Sequence, residues 1–213
     1  RDNNYDFNSA ATHINDDAWF LQRARISMQV KPADWLTFYI QGQDSREIGS
    51  RRSDVPGVLG AEGDNPFDLR QLYVEIGDEK RSPFSAKIGR QVLLYGDQRL
   101  IGPLEWNNIT RTFDAVKLRY AGKDGLWVDL FTSSLVVVDG KGMDASDWDS
   151  TLSGIYANIP TLGIQNTELY ALYSDDSNRN DHFITIGTHI KSLPGKFGPW
   201  DYEAEFAVQS GKA

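Results

Sequence analysis

AKIGRQVLLYGDQRLIGPLEWNNITRTFDAVKLRY, residues 86–120, is the stretch whose reading decides the fold. It predicts two strands, Phe84–Leu93 and Thr112–Ala121, joined by a long polar connection. In the second strand Val116, Leu118 and Tyr120 alternate with Ala115, Lys117 and Arg119. Strand side chains point to opposite faces in turn, so an apolar row and a cationic row lie back to back. The connection, Tyr95–Arg111, carries Asp97, Arg99, Glu105, Trp106 and Arg111. Connections of that length are more often functional than slack. From Arg81 to Lys123 there are eight Lys/Arg against three Asp/Glu, in a chain whose net charge is −8. A basic island in an acidic chain calls for a role.

Outward from that stretch, period-two alternation recurs along the whole chain at a spacing expected of an all-β sandwich or barrel. Trp19–Val30 sets Phe20, Ala24, Ile26, Met28 and Val30 against Arg23, Arg25, Ser27 and Gln29. Trp35–Gln43 sets Leu36, Phe38 and Ile40 against Thr37, Tyr39, Gln41 and Gln43, and Asp68–Gly77 sets Leu72, Val74 and Ile76 against Gln71, Tyr73 and Glu75. Further strands are predicted at Leu126–Ser134, Thr151–Ile159, Asn166–Ser174, His182–Lys191 and Trp200–Gln209. The connections alternate. Lys31–Asp34, Asp78–Pro83, Gly122–Gly125 and the link holding Pro160 and Gly163 are short, whereas Asp44–Phe67, Tyr95–Arg111 and Asp139–Ser150 are long and polar. Outer-membrane barrels have short turns on one rim and long loops on the other. The expectation is an all-β antiparallel transmembrane barrel, with this chain supplying about ten or eleven strands as a single domain, residues 1–213. A further strand is expected ahead of Trp19, ending near Tyr5 and Phe7 before a loop at Asn8–Asp17. Open strand edges are costly in lipid, so the chain is expected to be part of a longer, closed barrel.

Composition narrows the function classes. The 213 residues are 40% hydrophobic with a mean hydropathy of −0.47, and cysteine is absent, which removes disulfides and thiolate metal sites. An isoelectric point near 4.9 argues against nonspecific nucleic-acid binding. The longest apolar run, Leu135–Val138, is far too short for a spanning helix, but barrel strands hide their lipid-facing row behind alternation.

At GRQVLLYGDQRLIGP, LEW, RTFDAVKLRY and the preceding DLRQLYVEIG (68–77), the chain resembles the alginate-export family of outer-membrane porins. The match is good over Asp68–Tyr120; elsewhere mainly the strand rhythm agrees. The resemblance implies a large monomeric barrel, of about 18 strands in the best-known member, passing an anionic polysaccharide through an arginine-rich constriction. It implies location in the outer membrane of a Gram-negative-type cell, with lipid bilayer and lipopolysaccharide around it and an anionic or sugar-like solute within. Arg90, Asp97, Arg99, Arg111 and Asp114 stand where the family keeps its GRQ, GDQR and R-x-FD residues.

The pore-lining set expected on these grounds is Lys87, Arg90, Tyr95, Asp97, Arg99, Glu105, Trp106, Arg111, Asp114, Lys117 and Arg119. Arginine presents a planar fork of donors that suits carboxylate or phosphate, with Asp97 and Glu105 holding the arginines in place. The same residues also fit ordinary ion pairs that only hold a wide lumen. Trp106, with Tyr95 and Tyr73, offers flat faces for sugar rings; Trp19, Trp35, Trp127 and Trp200 are expected in an interfacial girdle. Strict alternation puts Arg90 on the side of Ile88 and gives Asp114 the same parity; a bulge at Gly89 would turn Arg90 inward. The acidic runs Asp144–Asp149 and Asp175–Asp181 have oxygens enough for Ca²⁺ but lack the glycine and closing Glu of an EF-hand loop, so no cofactor is expected. His13, His182 and His189 have no nucleophile signature near them, and no enzyme is expected. Two alternatives remain: a soluble β-sandwich or barrel binding carbohydrate or a hydrophobic ligand, and a barrel scaffolding a periplasmic or surface partner.

Overall fold

The computed structural model describes residues 2–3, 16–49, 64–78, 80–139, 142–161 and 163–212. The strand expected near Tyr5 and Phe7, and the middle of the expected Asp44–Phe67 loop, lie outside them. Asp2–Asn3 pairs with Asp16–Asp17. Apart from a single 3-10 turn at Lys123–Gly125, the other regular structure among the described residues is one antiparallel sheet of ten strands: β1 (Phe20–Ala33), β2 (Leu36–Ile48), β3 (Asn65–Gly77), β4 (Phe84–Gln91), β5 (Phe113–Ala121), β6 (Trp127–Val137), β7 (Ala145–Thr161), β8 (Gln165–Asp176), β9 (Asp181–Ser192) and β10 (Glu203–Lys212). Each strand pairs with its sequence neighbours, and β1 and β10 are the sheet's two edges among the described residues. This is the arrangement of part of a β-barrel, not closed here. The Lys123–Gly125 turn is short, and no helix among the described residues is long and apolar enough to cross a membrane.

One face carries the apolar rows, and no other element of the described residues covers it. Ile26, Phe38, Leu72, Ile88, Leu118, Leu130, Ile155, Ile186, Phe206 and Val208 are all exposed there, Phe206 by 67%. A soluble sandwich would bury this face under a second sheet; lipid would cover it in a barrel. The apolar row also ends abruptly. Going up toward the long-loop rim, Ile40 gives way to Gly42 and Asp44, Ile88 to Arg90, Val116 to Asp114, Leu130 to Thr132 and Ser134, and Ile155 to Ser153 and Thr151. The polar groups above that line satisfy one another: Arg46 Nε and Nη2 donate to Asp44 at 2.9 and 2.7 Å, Arg90 pairs two-pronged with Asp114 at 3.0 and 3.1 Å, and Thr132 meets Ser153 at 2.9 Å. At the opposite rim Trp35, Phe84, Tyr120 and Trp200 are exposed, as aromatic residues are at a membrane–water boundary.

That line explains where the observed strands outrun the expected ones. β2 continues to Ile48, β3 begins at Asn65 and β7 at Ala145, each through mostly polar sequence in which the large apolar residues, Ile48, Phe67 and Trp148, are exposed and do not alternate. Alternation marks a strand only where one face is dry, and here the strands have left the apolar belt. At the other rim, Lys31–Asp34 is not the turn: β1 runs to Ala33 and the turn is Asp34–Trp35, with a register shift between Val30 and Ala33 that accommodates Pro32, which has no N–H to donate. The polar line also predicts a tolerance. Thr132→Lys is expected to cost less than about 1 kcal/mol of folding stability in lipid vesicles, because cations near the interface are cheap where mid-membrane ones are not; a loss as large as for a central position would put the boundary elsewhere.

Candidate functional site

Residues 92–112, between β4 and β5, form no strand and fold onto the polar face of the sheet. Gly96, Gln98, Leu104 and Thr110 adopt positive φ, which lets the segment reverse direction sharply. Its first half is held by an apolar cluster: Leu93, Tyr95 and Ile101 are buried with Phe113, Ala115, Phe131, Tyr156, Tyr170 and Leu172 from β5 to β8. Tyr95 stacks on Tyr156, ring centroids 4.5 Å apart, and Tyr156 on Tyr170 at 5.3 Å. Burial and the neighbouring Asp129 carboxylate push the Tyr95 phenol well above its ordinary pKa, so it remains a donor, and its Oη reaches Asp129 Oδ2 at 2.8 Å.

Asp129 is 0% exposed and gathers the cations predicted on β5: Arg119 donates to both of its oxygens at 2.6 and 2.7 Å, and Lys117 Nζ stands 3.6 Å away. Lys117 and Arg119 therefore face inward, as their parity implies, but share one carboxylate. Arg119 also lies over the Trp127 ring at 4.7 Å, and Trp127 stacks on Tyr156. Trp127 is thus an inner-face residue and not part of the girdle. The strand starts so that Trp127 shares parity with Asp129, which the sequence position alone disguised.

The segment then touches both ends of the sheet. Toward β9 and β10, Asp97 takes Lys191 at 3.2 Å, and Arg99 lies 3.7 Å from Glu203 and 3.6 Å from Glu205. Glu203 also holds Lys191 at 2.8 Å and His189 Nε2 at 3.0 Å, while His189 Nδ1 meets Glu168 at 2.9 Å. Toward β1 to β3, Glu105 receives Arg70 at 2.6 Å, Arg25 at 3.0 Å and Arg23 at 3.7 Å. Arg70 is buried and donates further to Gln41 and Thr110, and Arg25 to Gln43. Asn107, Asn108 and Ile109 accept from Arg23, Ser45 and Gln43 through their backbone carbonyls. Arg99 and Glu105 are six residues apart, a reach of about 21 Å at most. Nine strand spacings at about 4.8 Å make an arc near 43 Å. A short segment that packs on the middle strands and also pairs with both edges has the sheet curled around it, so the polar face is the inside of a trough.

The expected residues divide. Lys87, Tyr95, Asp97, Arg99, Glu105, Lys117 and Arg119 lie on the inner face or the segment across it; Lys87 pairs with Glu75 at 3.3 Å and lies over the Tyr73 ring, which stacks on Tyr39. Trp106 is 78% exposed. Arg111 is half-buried and forms no ion pair among the described residues. Arg90 and Asp114 share the rungs of Leu72 and Ser134, continuing the outer row. Gly89 has φ +120° but the ladder passes through it without a register shift, so Arg90 is not turned inward; the Asp144 and Leu69 carbonyls accept from its Nη1. Arg23, Arg25 and Arg70 were missing from the expected set. The signal was present in Arg23 and Arg25, which alternate against Ala24 and Ile26, whereas Arg70 stands beside a bulge between Gln41 and Gly42 that puts both it and Gln71 inside.

The family model described as Alginate export matches residues 2–213 of this chain. No curated protein sequence matches it.

Proposed function

Because the chain belongs to the Alginate export family, we propose that the inner face of its sheet lines a passive aqueous path for anionic, polyhydroxylated solutes of the uronate type, narrowed by residues 92–112. Membership in general supports an outer-membrane β-barrel role in alginate export, within a family of transporters and not of enzymes. The observation that carries the finer reading is the convergence of Arg23, Arg25 and Arg70 on a single carboxylate, Glu105. Three guanidinium groups against one carboxylate leave an excess of positive charge facing the trough. In a confined, low-dielectric passage such an excess lowers the barrier to an anion, and each guanidinium fork can exchange Glu105 for a passing carboxylate in the same two-point geometry. The Tyr39–Tyr73 stack and the uncovered Trp106 ring offer flat surfaces for sugar rings nearby.

The test is the reversal potential across a planar bilayer under a salt gradient. Arg23→Gln with Arg25→Gln is expected to lower the anion-to-cation permeability ratio severalfold, and the difference should fade at about 1 M salt, where the screening length falls to about 3 Å. An unmoved reversal potential at low salt would place the selectivity outside this cluster.

A further inference from the structure

At the long-loop rim a small cavity lies where four parts of the chain meet: the start of β3, residues 109–112, the end of β6 and the residue before β7. It measures about 20 Å³, room for one water or one ion, since a single water needs about 10–15 Å³. Asn65, Asp68 and Asp144 border it, with Asn65 5% exposed and Asp68 3%. The backbone N–H groups of Leu69 and Asp144 donate to Asp68, the second at 2.6 Å. Asp144 accepts from the Asp139 N–H at 2.8 Å and from Asn65 Nδ2 at 2.7 Å. Each carboxylate oxygen therefore keeps a lone pair, and neither carboxylate forms an ion pair among the described residues. Arg70 also borders the cavity, but its guanidinium is turned to Glu105, Gln41 and Thr110. Arg90 grips Asp114 and reaches Asp144 only at its carbonyl. Asn65 supplies the independent sign of a ligand. Its amide nitrogen faces Asp144, an acceptor when ionised, so Oδ1 points elsewhere, and this buried oxygen has no partner among the described residues.

We propose that this cavity is a calcium site, with Asp68, Asp144 and Asn65 Oδ1 as its side-chain ligands. Two neighbouring carboxylates and an amide oxygen without a donor are hard, oxygen-only ligands, the set that Ca²⁺ takes in flexible geometry. Mg²⁺ usually keeps several of its waters, for which a one-water cavity has no room. Asp68 and Asp144 stand 76 positions apart in the chain, so the run Asp144–Asp149 gives only its first residue and no single acidic loop announced the site. A bound cation fastens the residue before β7 to the start of β3, beside the end of the 92–112 segment. The site uses none of the arginines around Glu105, so it stands whether or not the inner face conducts.

Thermal unfolding of the protein in detergent, stripped with EDTA and returned to calcium-free buffer, tests this. About 10 mM CaCl₂ is expected to raise the melting temperature by a few degrees, with half of the effect at roughly 0.1–1 mM, the range of extracellular calcium modules. MgCl₂ should need at least about tenfold more. Asp144→Asn and, separately, Asn65→Ala should each move the calcium midpoint upward by at least about tenfold, and one variant suffices if the other does not fold. No response to calcium up to about 10 mM would make the occupant a water and overturn the site. A response that magnesium matches, or that a folded variant keeps at the parent's midpoint, would place the binding elsewhere on this acidic chain and overturn the site as well.

Discussion

Replacing residues 92–111 with a short turn is expected to raise single-channel conductance severalfold. The excision is geometrically clean, because Gln91 and Phe113 already face each other across the β4–β5 ladder and a tight turn can join them. The removed segment is the only part of the described chain lying across the inner face from β9–β10 to β1, so its loss widens whatever cross-section that face encloses. It is not a free change. Leu93, Tyr95 and Ile101 lose their burial, at roughly 1.5–3 kcal/mol for each side chain, and Phe131, Tyr156 and Leu172 become wetted. The measurement is conductance in high salt, where charge effects are screened and width dominates. A shortened variant that inserts with unchanged conductance would show that the narrowest point lies elsewhere.

The second large effect concerns Asp129. Asp129→Asn keeps the shape of the side chain but removes the charge that Arg119 and Lys117 share, leaving two inward cations without their common partner. Breaking a buried pair in this way typically costs 3–5 kcal/mol. Arg119 is one-third exposed and water relieves part of the loss, so about 3 kcal/mol is expected, read from unfolding in detergent or vesicles. Tyr95 loses its carboxylate acceptor too, and with it a tie between the 92–112 segment and β6. The variant should therefore also show noisier open-channel current. A stability loss below about 1 kcal/mol would mean the pair is already solvated.

How far the molecule could be read in advance depended on where water is. In the apolar belt one face of each strand is dry, and Phe38, Leu118, Ile186 and Phe206 announced their strands and their outward direction by alternation alone. Above the belt both faces are wet, and the ends of β2 and β7 read as loop. The site was legible in kind but not in membership. The connection at Tyr95–Arg111 advertised itself by length and charge, and it does cross the inner face. What it meets there could not be read, since Glu105 finds Arg23 and Arg25 some 80 positions away in the chain. Inner-row residues did carry an unread signal: Phe113, Phe131 and Leu172 are apolar where the inner rows of the neighbouring strands carry charge, and with Tyr156 and Tyr170 they mark where Tyr95 and Ile101 dock. Arg90 and Asp114 show the reverse error, a motif assigned to the lumen against its own parity.

The unbroken neighbour-to-neighbour order of the ten strands has a consequence for how this molecule comes into being. Hairpins joined in sequence need only local loop closures, which are entropically cheap and fast. Contacts such as Glu105 with β1 and Arg99 with β10 demand that strands far apart in the chain have already come near one another. The bridging segment therefore settles late, after the wall that receives it has acquired its curve, and until then the nascent assembly is wider inside than the finished one.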